Sequence, residues 1–233
     1  MKHIVMASAL LLTCSLSSCL IQKKKNVDMS EISKKEMIKA NFNRLSLSGD
    51  YELVYHQGDS CSLDIRGPKD LVDRVEVKNE EGTLSLSQKR RNISFTMGKK
   101  KRVVVTVMSP SLAQVQIAGA CDFSAPDQVA VGKMDFDLSG AGTVGFKHLQ
   151  CDTLLVNMSG ASNLDLDLHH VSYTNINLSG AGNADVHFND CGLAVCTMAG
   201  AGNIDVSGDV VKLIENKHGV ASINKNNLTI KEK

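Results

Sequence analysis

Three aspartates recur at a constant interval in the chain, at Asp165, Asp185 and Asp205. A regular array of carboxylates can chelate calcium, and a close pair can supply the acid and the base that cleave a glycoside or uronide. The segment GAGNAD around Asp185 superficially resembles the calcium-binding repeat of β-rolls, but that repeat is only about nine residues long. The wider spacing found here offers each ion too few oxygens. We therefore interpret these aspartates as the solvated partners of alternating apolar residues.

The histidines do not form a metal-binding or catalytic pattern. His169 and His170 are adjacent, so in a strand their side chains point to opposite faces and cannot bind one ion together. Three other histidines fall at different positions of the repeat described below: His148, His187 and His218. No Ser/His/Asp set has a suitable context, and SGAG lacks the lysine and the following helix of a phosphate loop. The sequence therefore predicts no enzyme activity, no metal site and no cofactor.

A basic segment between residues 89 and 102 could bind the phosphates of lipopolysaccharide or acidic glycans. Its seven cationic residues flank NISFTMG: Lys89, Arg90, Arg91, Lys99, Lys100, Lys101 and Arg102. We interpret the segment as a charged hairpin that prevents edge-to-edge aggregation. The whole chain carries 26 basic and 25 acidic residues, a formal net charge of +1. This balance argues against a nucleic-acid partner, which normally requires a marked basic excess.

These polar residues are positioned by a repeat marked by glycine. Five segments share one pattern of aliphatic, small, Gly, Ala and small residues: IAGACDF, LSGAGTV, MSGASNL, LSGAGNA and MAGAGNI. The steps between their glycines are 21, 20, 20 and 20: Gly119, Gly140, Gly160, Gly180 and Gly200. A sixth, degraded copy follows His218 as HGVASIN. Apolar and polar residues alternate on both sides of each glycine, which predicts strand, corner, strand.

The repeat length predicts the architecture. Twenty residues at about 3.3 Å each give a perimeter of roughly 65 Å, enough for two or three short strands with their corners. We therefore predict an all-β fold with a parallel β-solenoid or β-helix-like body, whose coils of about 20 residues stack about 4.8 Å apart. A Cβ at a corner would meet the next coil, and the turn needs a positive φ, so both requirements select glycine.

Stacking of the coils predicts columns of equivalent residues. One inward column lies four positions after each glycine: Phe123, Val144, Leu164, Ala184 and Ile204. A second lies eleven positions after the glycine: Cys151, Val171, Cys191 and Val211. A polar column three positions after the glycine is suited to a hydrogen-bonded ladder: Asp122, Thr143, Asn163, Asn183 and Asn203.

The whole chain divides into four predicted parts. Residues 1–18 have a basic start, an apolar run too short to span a bilayer and small residues before LSSC, which resembles a lipobox. Cys19 would be acylated and would hold the mature protein on a lipid membrane. Residues 19–40 are predicted to be a tether, with a short helix starting near Asp28 or Ser30. Residues 41–116 form an irregular β-rich amino-terminal cap, and residues 117–230 form the regular repeats.

Five cysteines follow the tether: Cys61, Cys121, Cys151, Cys191 and Cys196. An exported protein can form disulfides, but the number is odd and no CxxC pair has zinc-like partners. We expect mostly reduced, buried thiols that behave as small apolar side chains.

The glycine corners, together with FNRLSLSGDYELVYHQGD at residues 42–59 and EEGTLSLS at residues 80–87, resemble the Bacteroidetes head GIN domain family. Members of this family are described as "putative auto-transporter adhesins". The resemblance extends from about Asn41 to Ile230. It implies a solenoid-like body exported as a lipoprotein, and it brings no catalytic residues with it.

Three hypotheses for function follow. The first is a non-enzymatic outer membrane lipoprotein that acts as an adhesin and binds a glycan or protein on a cell surface. The second is a structural or envelope-sensing accessory protein in the periplasm, favoured by the basic LIQKKKN after Cys19, because surface lipoproteins of this group usually carry acidic residues there. The third is a polysaccharide lyase or hydrolase.

Overall fold

The structure is a computed structural model that describes residues 30–38, 40–89 and 102–231. The predicted signal peptide, Cys19 and most of the basic segment lie outside these residues. Within these residues the fold is all-β, with one four-residue helix and a curled sheet. Its elements are β1 Glu31–Met37, β2 Arg44–Gln57, β3 Ser62–Pro68, α1 Lys69–Val72, β4 Val75–Glu80, β5 Thr83–Gln88, β6 Val103–Ser109, β7 Gln114–His169 and β8 Tyr173–Ile230.

The sheet is mixed at its amino-terminal end and parallel elsewhere. Its strand order is β1-β3-β6-β2-β5-β4, and β7 pairs with both β2 and β8. The pairs β1–β3, β3–β6 and β4–β5 are antiparallel, whereas β2 pairs in parallel with β5, β6 and β7. Strands β7 and β8 pair in parallel with a constant offset, from Thr153↔Tyr173 to His169↔Asn189. The interval between the glycines in the sequence is therefore the interval between neighbouring strand segments.

The glycine corners lie directly on one another. All five glycines have a positive φ, for example 120° at Gly180. A Cβ added to Gly180 would lie 2.2 Å from the carbonyl oxygen of Gly160, and one added to Gly140 would lie 2.0 Å from that of Gly119. The corner begins earlier in the chain than the repeat suggested, because Gly49 in β2 pairs in register with Gly119. The segment LSGD around Gly49 is therefore another copy of the corner.

The interior is filled by the inward positions of each strand segment. The column four positions after each corner is fully buried, from Phe123 to Ile204, as predicted. The rings of Phe123, Phe136 and Phe146 pack together with centroids 5.2, 5.3 and 6.1 Å apart. These contacts close the core between neighbouring segments of β7.

All five predicted thiols are free and buried, as expected. Burial raises the pKa of the Cys121, Cys151 and Cys196 thiols to about 12. They therefore remain protonated and act as small apolar side chains in the core.

Two local predictions were wrong. Residues 31–37 form strand β1, rather than a helix starting near Ser30, because this segment pairs with the edge of β3 and packs Ile32 against the core. Val211 is 37% exposed, whereas its neighbour Val210 is buried. The last step of the repeat is 19 residues long, as the hydrogen bond from Asn216 Nδ2 to Thr197 Oγ1 (3.2 Å) shows. The residue that points inward is therefore Val210, one position earlier than predicted.

Charged side chains lie at the carboxyl-terminal end of the described core, in the last segments of β8. The same shortened step places Glu215 over Cys196, where earlier windings carry an apolar side chain. Lys225 Nζ lies 2.5 Å from Glu215 Oε1, and Lys217 Nζ lies 3.3 Å from Glu215 Oε2. Inward-pointing charges of this kind prevent a sheet edge from pairing with another chain.

Candidate functional site

A groove of about 540 Å³ lies on the outward side of the strand segments that precede the corners. Two rows of side chains line it, with one residue per winding in each row. The amide row lies three positions before the corner glycines: Ser46, Gln116, Asp137, Asn157 and Asn177. The hydroxyl row lies one position before them: Ser48, Ala118, Ser139, Ser159 and Ser179. Between the rows are inward-pointing apolar residues: Leu47, Ile117, Leu138 and Met158.

The small residues of the hydroxyl row form a low wall of the groove. These side chains directly precede the corner glycines, and they end one or two atoms from the backbone. The longer side chains of the amide row form the opposite wall. The groove therefore runs across the windings, and its long axis is perpendicular to the strands.

Hydrogen bonds fix the geometry of the amide row. Asn177 Nδ2 donates to Asn157 Oδ1 at 3.0 Å, and Asn157 Nδ2 donates to Asp137 Oδ1 at 2.9 Å. Each amide thus holds its neighbour in the preceding winding, which orients all three side chains before any ligand arrives. Stacked amides of this kind are typical of in-register parallel strands.

A second ladder lies on the other side of the corner. Asn163 Oδ1 accepts a hydrogen bond from the backbone N–H of Asn183, and Asn183 Oδ1 accepts one from that of Asn203, both at 3.2 Å. The predicted polar column is therefore a ladder in which each side chain binds the next backbone. Its amide oxygens are engaged by the fold, and none of these residues lines the groove.

Comparison with known proteins identifies the family. The sequence profile described as "Putative auto-transporter adhesin, head GIN domain" matches residues 41–208. The chain belongs to this family. The match confirms the resemblance noted from the glycine corners and from the segment at residues 42–59. No curated protein matches the sequence significantly.

Solved structures share the fold of this head GIN domain. A "putative adhesin" from Bacteroides fragilis NCTC 9343 superposes with a TM-score of 0.67 at 20% identity, covering 84% of this chain and 97% of the other. A "putative adhesin" from Parabacteroides distasonis ATCC 8503 gives 0.52 at 18% identity, covering 85% and 98%. A "putative lipid binding protein" from the same organism gives 0.52 at 16% identity, covering 84% and 96%.

The aspartate column of the head GIN domain does not form a cleft. Asp165 and Asp185 are neighbours in the register of β7 and β8, and both are exposed. Asp205 Oδ1 accepts a hydrogen bond from Asn224 Nδ2 at 2.7 Å. None of the three lines the groove. Among the described residues, no group of three or more His, Cys, Asp or Glu side chains is arranged to hold a metal ion.

The structure also stacks an Asp, a His and a Ser that are far apart in sequence. Asp167 is the register partner of His187, and His187 Nδ1 lies 3.0 Å from Ser207 Oγ. Asp167 Oδ1, however, lies 3.0 Å from His169 Nε2, so the carboxylate is directed toward a different imidazole. A catalytic triad requires the histidine to bridge the serine and the carboxylate. The column does not meet that requirement.

The five histidines singled out from the sequence are not gathered at one site. The rings of His148 and His169 stack with centroids 3.7 Å apart, a contact that the adjacent-residue argument did not anticipate. His170 Nδ1 lies 3.3 Å from Asp190 Oδ2, on an exposed surface. His187 belongs to the column above, and His218 is exposed in the last winding.

The two described ends of the basic segment are engaged in ion pairs. Arg102 Nε donates to Asp50 Oδ1 at 2.6 Å, and its other nitrogens bind the carboxylate of Asp122 and the backbone oxygen of Tyr51. Lys89 Nζ lies 2.7 Å from Glu76 Oε1. Arg102 thus joins two neighbouring windings at the corner. Residues 90–101 lie outside the described part of the chain.

Within the described ranges, no helix has the length and apolar character that a membrane span requires.

The groove was not predicted from the sequence, although its amide row is visible there as polar residues spaced 21, 20 and 20 positions apart from Gln116 to Asn177. The alternation of polar and apolar residues along a strand shows only that these side chains point outward. It does not show that they line a groove. The signal that distinguishes them is the run of Ser and Ala two positions further on, which lines the other side of the groove.

Proposed function

We propose that the protein is a membrane-anchored, non-enzymatic adhesion module of the cell envelope that binds a surface ligand through the groove. Membership of a family described as adhesins supports this role. The observation that carries the proposal is the groove itself, which crosses five windings. Two rows of small and polar side chains line it, and hydrogen bonds join Asp137, Asn157 and Asn177 in one of these rows. Ligand sites are typically concave and largely pre-formed.

The proposed anchor is Cys19, acylated after removal of residues 1–18. Two or three acyl chains hold a protein on a bilayer stably, whereas one chain does not. Residues 19–40 would then connect the lipid to the β body, with β1 at the end of this connection. Metabolic labelling with an alkynyl fatty acid tests this: the wild-type protein should be labelled and a Cys19→Ala variant should not.

We further propose that the β body is a single parallel β-solenoid, with residues 41–116 as its irregular amino-terminal part and residues 117–230 as its regular coils. The constant offset between β7 and β8 and the stacked corner glycines support this architecture. Because each winding rests on the previous one, such a body is stiff along its axis and presents the groove in a fixed shape. A rigid rod on a lipid anchor suits a role in contact between surfaces.

A lipid-carrying role has less support from the interior of this chain. One structural neighbour is named a lipid-binding protein, but here the inward positions are occupied by packed side chains such as Phe123, Phe136 and Phe146. The packed interior leaves no room for an acyl chain between these rings. A lyase or hydrolase role is the third hypothesis, and an activity abolished by Asp185→Ala but retained in Asp70→Ala would support it.

A periplasmic structural or envelope-sensing role is the second candidate, and LIQKKKN after Cys19 favours it. Protease treatment of intact cells separates the two candidates. Cleavage places the protein on the outer surface of the outer membrane, whereas protection until the cells are lysed places it in the periplasm and refutes surface adhesion.

The adhesion proposal is tested with liposomes that carry the full-length acylated protein. Fluorescent proteoliposomes should bind to cell surfaces or to immobilised envelope material more than empty liposomes do. Binding no greater than that of empty liposomes, across host cells, bacterial cells and a glycan array, contradicts the proposed function.

A further inference from the structure

We propose that the groove binds a neutral, linear polysaccharide that lies across the windings in an extended form, with one sugar residue at each winding. This proposal rests on the adhesion role and specifies the chemistry of its ligand. It follows from the direction of the groove, from the hydrogen-bonding capacity that its walls leave free, and from the lack of a cationic side chain among the described residues that line it.

The direction of the groove selects an extended ligand. The amide row takes one residue from each of five adjacent windings, and neighbouring strands are about 4.8 Å apart. Four such steps give a row about 19 Å long from Ser46 to Asn177. An extended β-linked hexose chain advances by a similar distance per sugar. A ligand of this kind would therefore meet an equivalent set of protein groups at every residue.

The free hydrogen-bonding capacity matches sugar hydroxyls. An amide has two N–H donors and two acceptor lone pairs. Asn157 uses one donor toward Asp137 and one lone pair toward Asn177, which leaves one donor and one lone pair. The hydroxyls of Ser139, Ser159 and Ser179 are exposed on the facing row. A ring hydroxyl is both a donor and an acceptor, so it can bind either row.

Charge argues against a polyanion. Among the described residues that line the groove there is no Lys, Arg or His, and the one ionisable side chain is the carboxylate of Asp137. Phosphate and sulfate groups are normally bound by Arg or Lys or by free backbone N–H groups. An anionic glycan or a nucleic acid would instead meet a negative charge. The ligand that fits this lining is uncharged.

Strand pairing argues against an extended peptide. A peptide that adds to a sheet needs a free edge with unpaired N–H and C=O groups. The strand segments under the groove are internal, because β2 pairs with β7 and β7 pairs with β8. The groove also crosses these segments instead of following them. The ligand must therefore be bound by side chains, and the same kinds of side chain recur in each winding of the groove.

The test uses oligosaccharides of defined length. The purified full-length protein in detergent is titrated by calorimetry with β-1,4-linked oligomers of glucose, mannose and N-acetylglucosamine, from two sugars to six, and with heparin as the polyanion. At least one neutral series should bind, with an affinity that rises with each added sugar up to about five, the number of windings in the groove. Binding of heparin alone, or a neutral affinity independent of length, overturns the proposal.

Two variants locate the binding. Ser159→Phe fills the hydroxyl row and should abolish binding, whereas Asp185→Phe adds the same bulk at an exposed position outside the groove and should leave it unchanged. Asn157→Ala removes one rung of the amide row and should weaken binding by about tenfold, since hydrogen bonds to the ligand are lost. Thermal melts of each variant establish that the fold is retained.

The outcome is separable from that of the adhesion proposal. If proteoliposomes carrying Ser159→Phe still bind to cells, the adhesion role stands and the groove is not its site. If none of the neutral oligomers binds the wild-type protein while cell binding persists, the polysaccharide proposal is overturned and adhesion alone stands. Loss of both neutral-oligomer binding and cell binding in Ser159→Phe, but not in Asp185→Phe, supports the proposal.

Discussion

Gly180 lies against the carbonyl oxygen of Gly160, so closely that a Cβ on Gly180 would be 2.2 Å from that oxygen. Gly180 also has a φ of 120°, a conformation that side chains with a Cβ rarely adopt. Two independent constraints therefore act at the same corner. The steric overlap can be relieved only by separating two windings, since the oxygen belongs to the backbone, and the strain at φ would remain even then.

Substitution of this corner should destabilise the whole stack. Gly180→Val should lower the free energy of unfolding by about 3 kcal/mol or more, from backbone strain together with steric overlap. Gly132→Ala is the matched control, because its Cβ would meet only Asp152 Oδ2, at 3.9 Å. Urea unfolding followed by circular dichroism measures both. Equal stability of Gly180→Val and the wild type would contradict the stacked-corner geometry.

The buried thiols should be unreactive in the native protein. Burial raises the pKa of Cys121, Cys151 and Cys196 to about 12, so the thiolate, which is the reactive species, is scarce near neutral pH. Ellman's reagent should label these cysteines slowly under native conditions and rapidly in guanidinium chloride. Rapid native labelling of these positions, read by mass spectrometry of peptides, would show that the core opens easily.

Arg102 should contribute to the stability of the amino-terminal windings. Its guanidinium binds Asp50, Asp122 and the backbone oxygen of Tyr51, and its side chain is 26% exposed. Arg102→Ala should therefore lower the free energy of unfolding by about 1–2 kcal/mol, as expected for loss of charge-assisted hydrogen bonds. Lys89→Ala, which removes a 67% exposed partner of Glu76, should have a much smaller effect. Melting temperatures of the two variants provide the comparison.

The charged cap of the last winding should make stability depend on pH. A hydrogen bond from Lys225, with a further one from Lys217, lowers the pKa of the Glu215 carboxyl in the folded protein. A lowered folded pKa means that the stabilisation is present above the ordinary glutamate pKa of about 4.3 and is lost as the pH falls through the folded value. Melting temperatures measured from near-neutral to acidic pH should fall less steeply in Glu215→Gln than in the wild type. Identical pH profiles would show that the cap does not contribute.

The same cap should keep the end of the stack from associating. Glu215→Val combined with Lys217→Met would restore apolar inward positions at an open edge, and exposed edges of this kind pair with other chains. Light scattering should show growth with concentration in this double variant. The wild type, and the outward-facing control Lys212→Met, should show none at the same concentrations.

Much of this fold could be predicted because the sequence repeats the same pattern of glycine and apolar residues about every 20 positions. The buried column from Phe123 to Ile204 and the positive φ at Gly180 follow from alternation and from glycine spacing, both of which are local signals. The family was also recognisable from short motifs. These features persist in every winding, so each copy reinforces the interpretation of the others.

The errors arise where the chain departs from its own period. The prediction that Val211 points inward assumed that the last step has 20 residues, as the three before it do. The last step has 19, so Val210 is buried and Val211 is exposed. Strand β1 could not be predicted because its pairing partner, β3, is formed by a later part of the chain and imposes a conformation that the sequence of β1 does not favour. Glu215 carries no sequence signal of an inward position, since a charge there becomes meaningful only at the end of a stack.

The candidate site could be predicted only in part. The polar identity of Asp137, Asn157 and Asn177 is visible in the sequence, but the groove depends on the curvature of the sheet and on the small side chains beside it. Concavity is a property of several windings together. It cannot be derived from any single repeat.

The pairing of each residue with its equivalent in the next winding has an evolutionary consequence. In the proposed solenoid each winding contacts only those next to it, so a gene segment that encodes one winding could be duplicated or lost in frame without disturbing the pairing of the others. The reach of the molecule and the number of rungs offered to a ligand would then change together, in whole units. Homologues should accordingly differ in length by multiples of this unit more often than by arbitrary insertions.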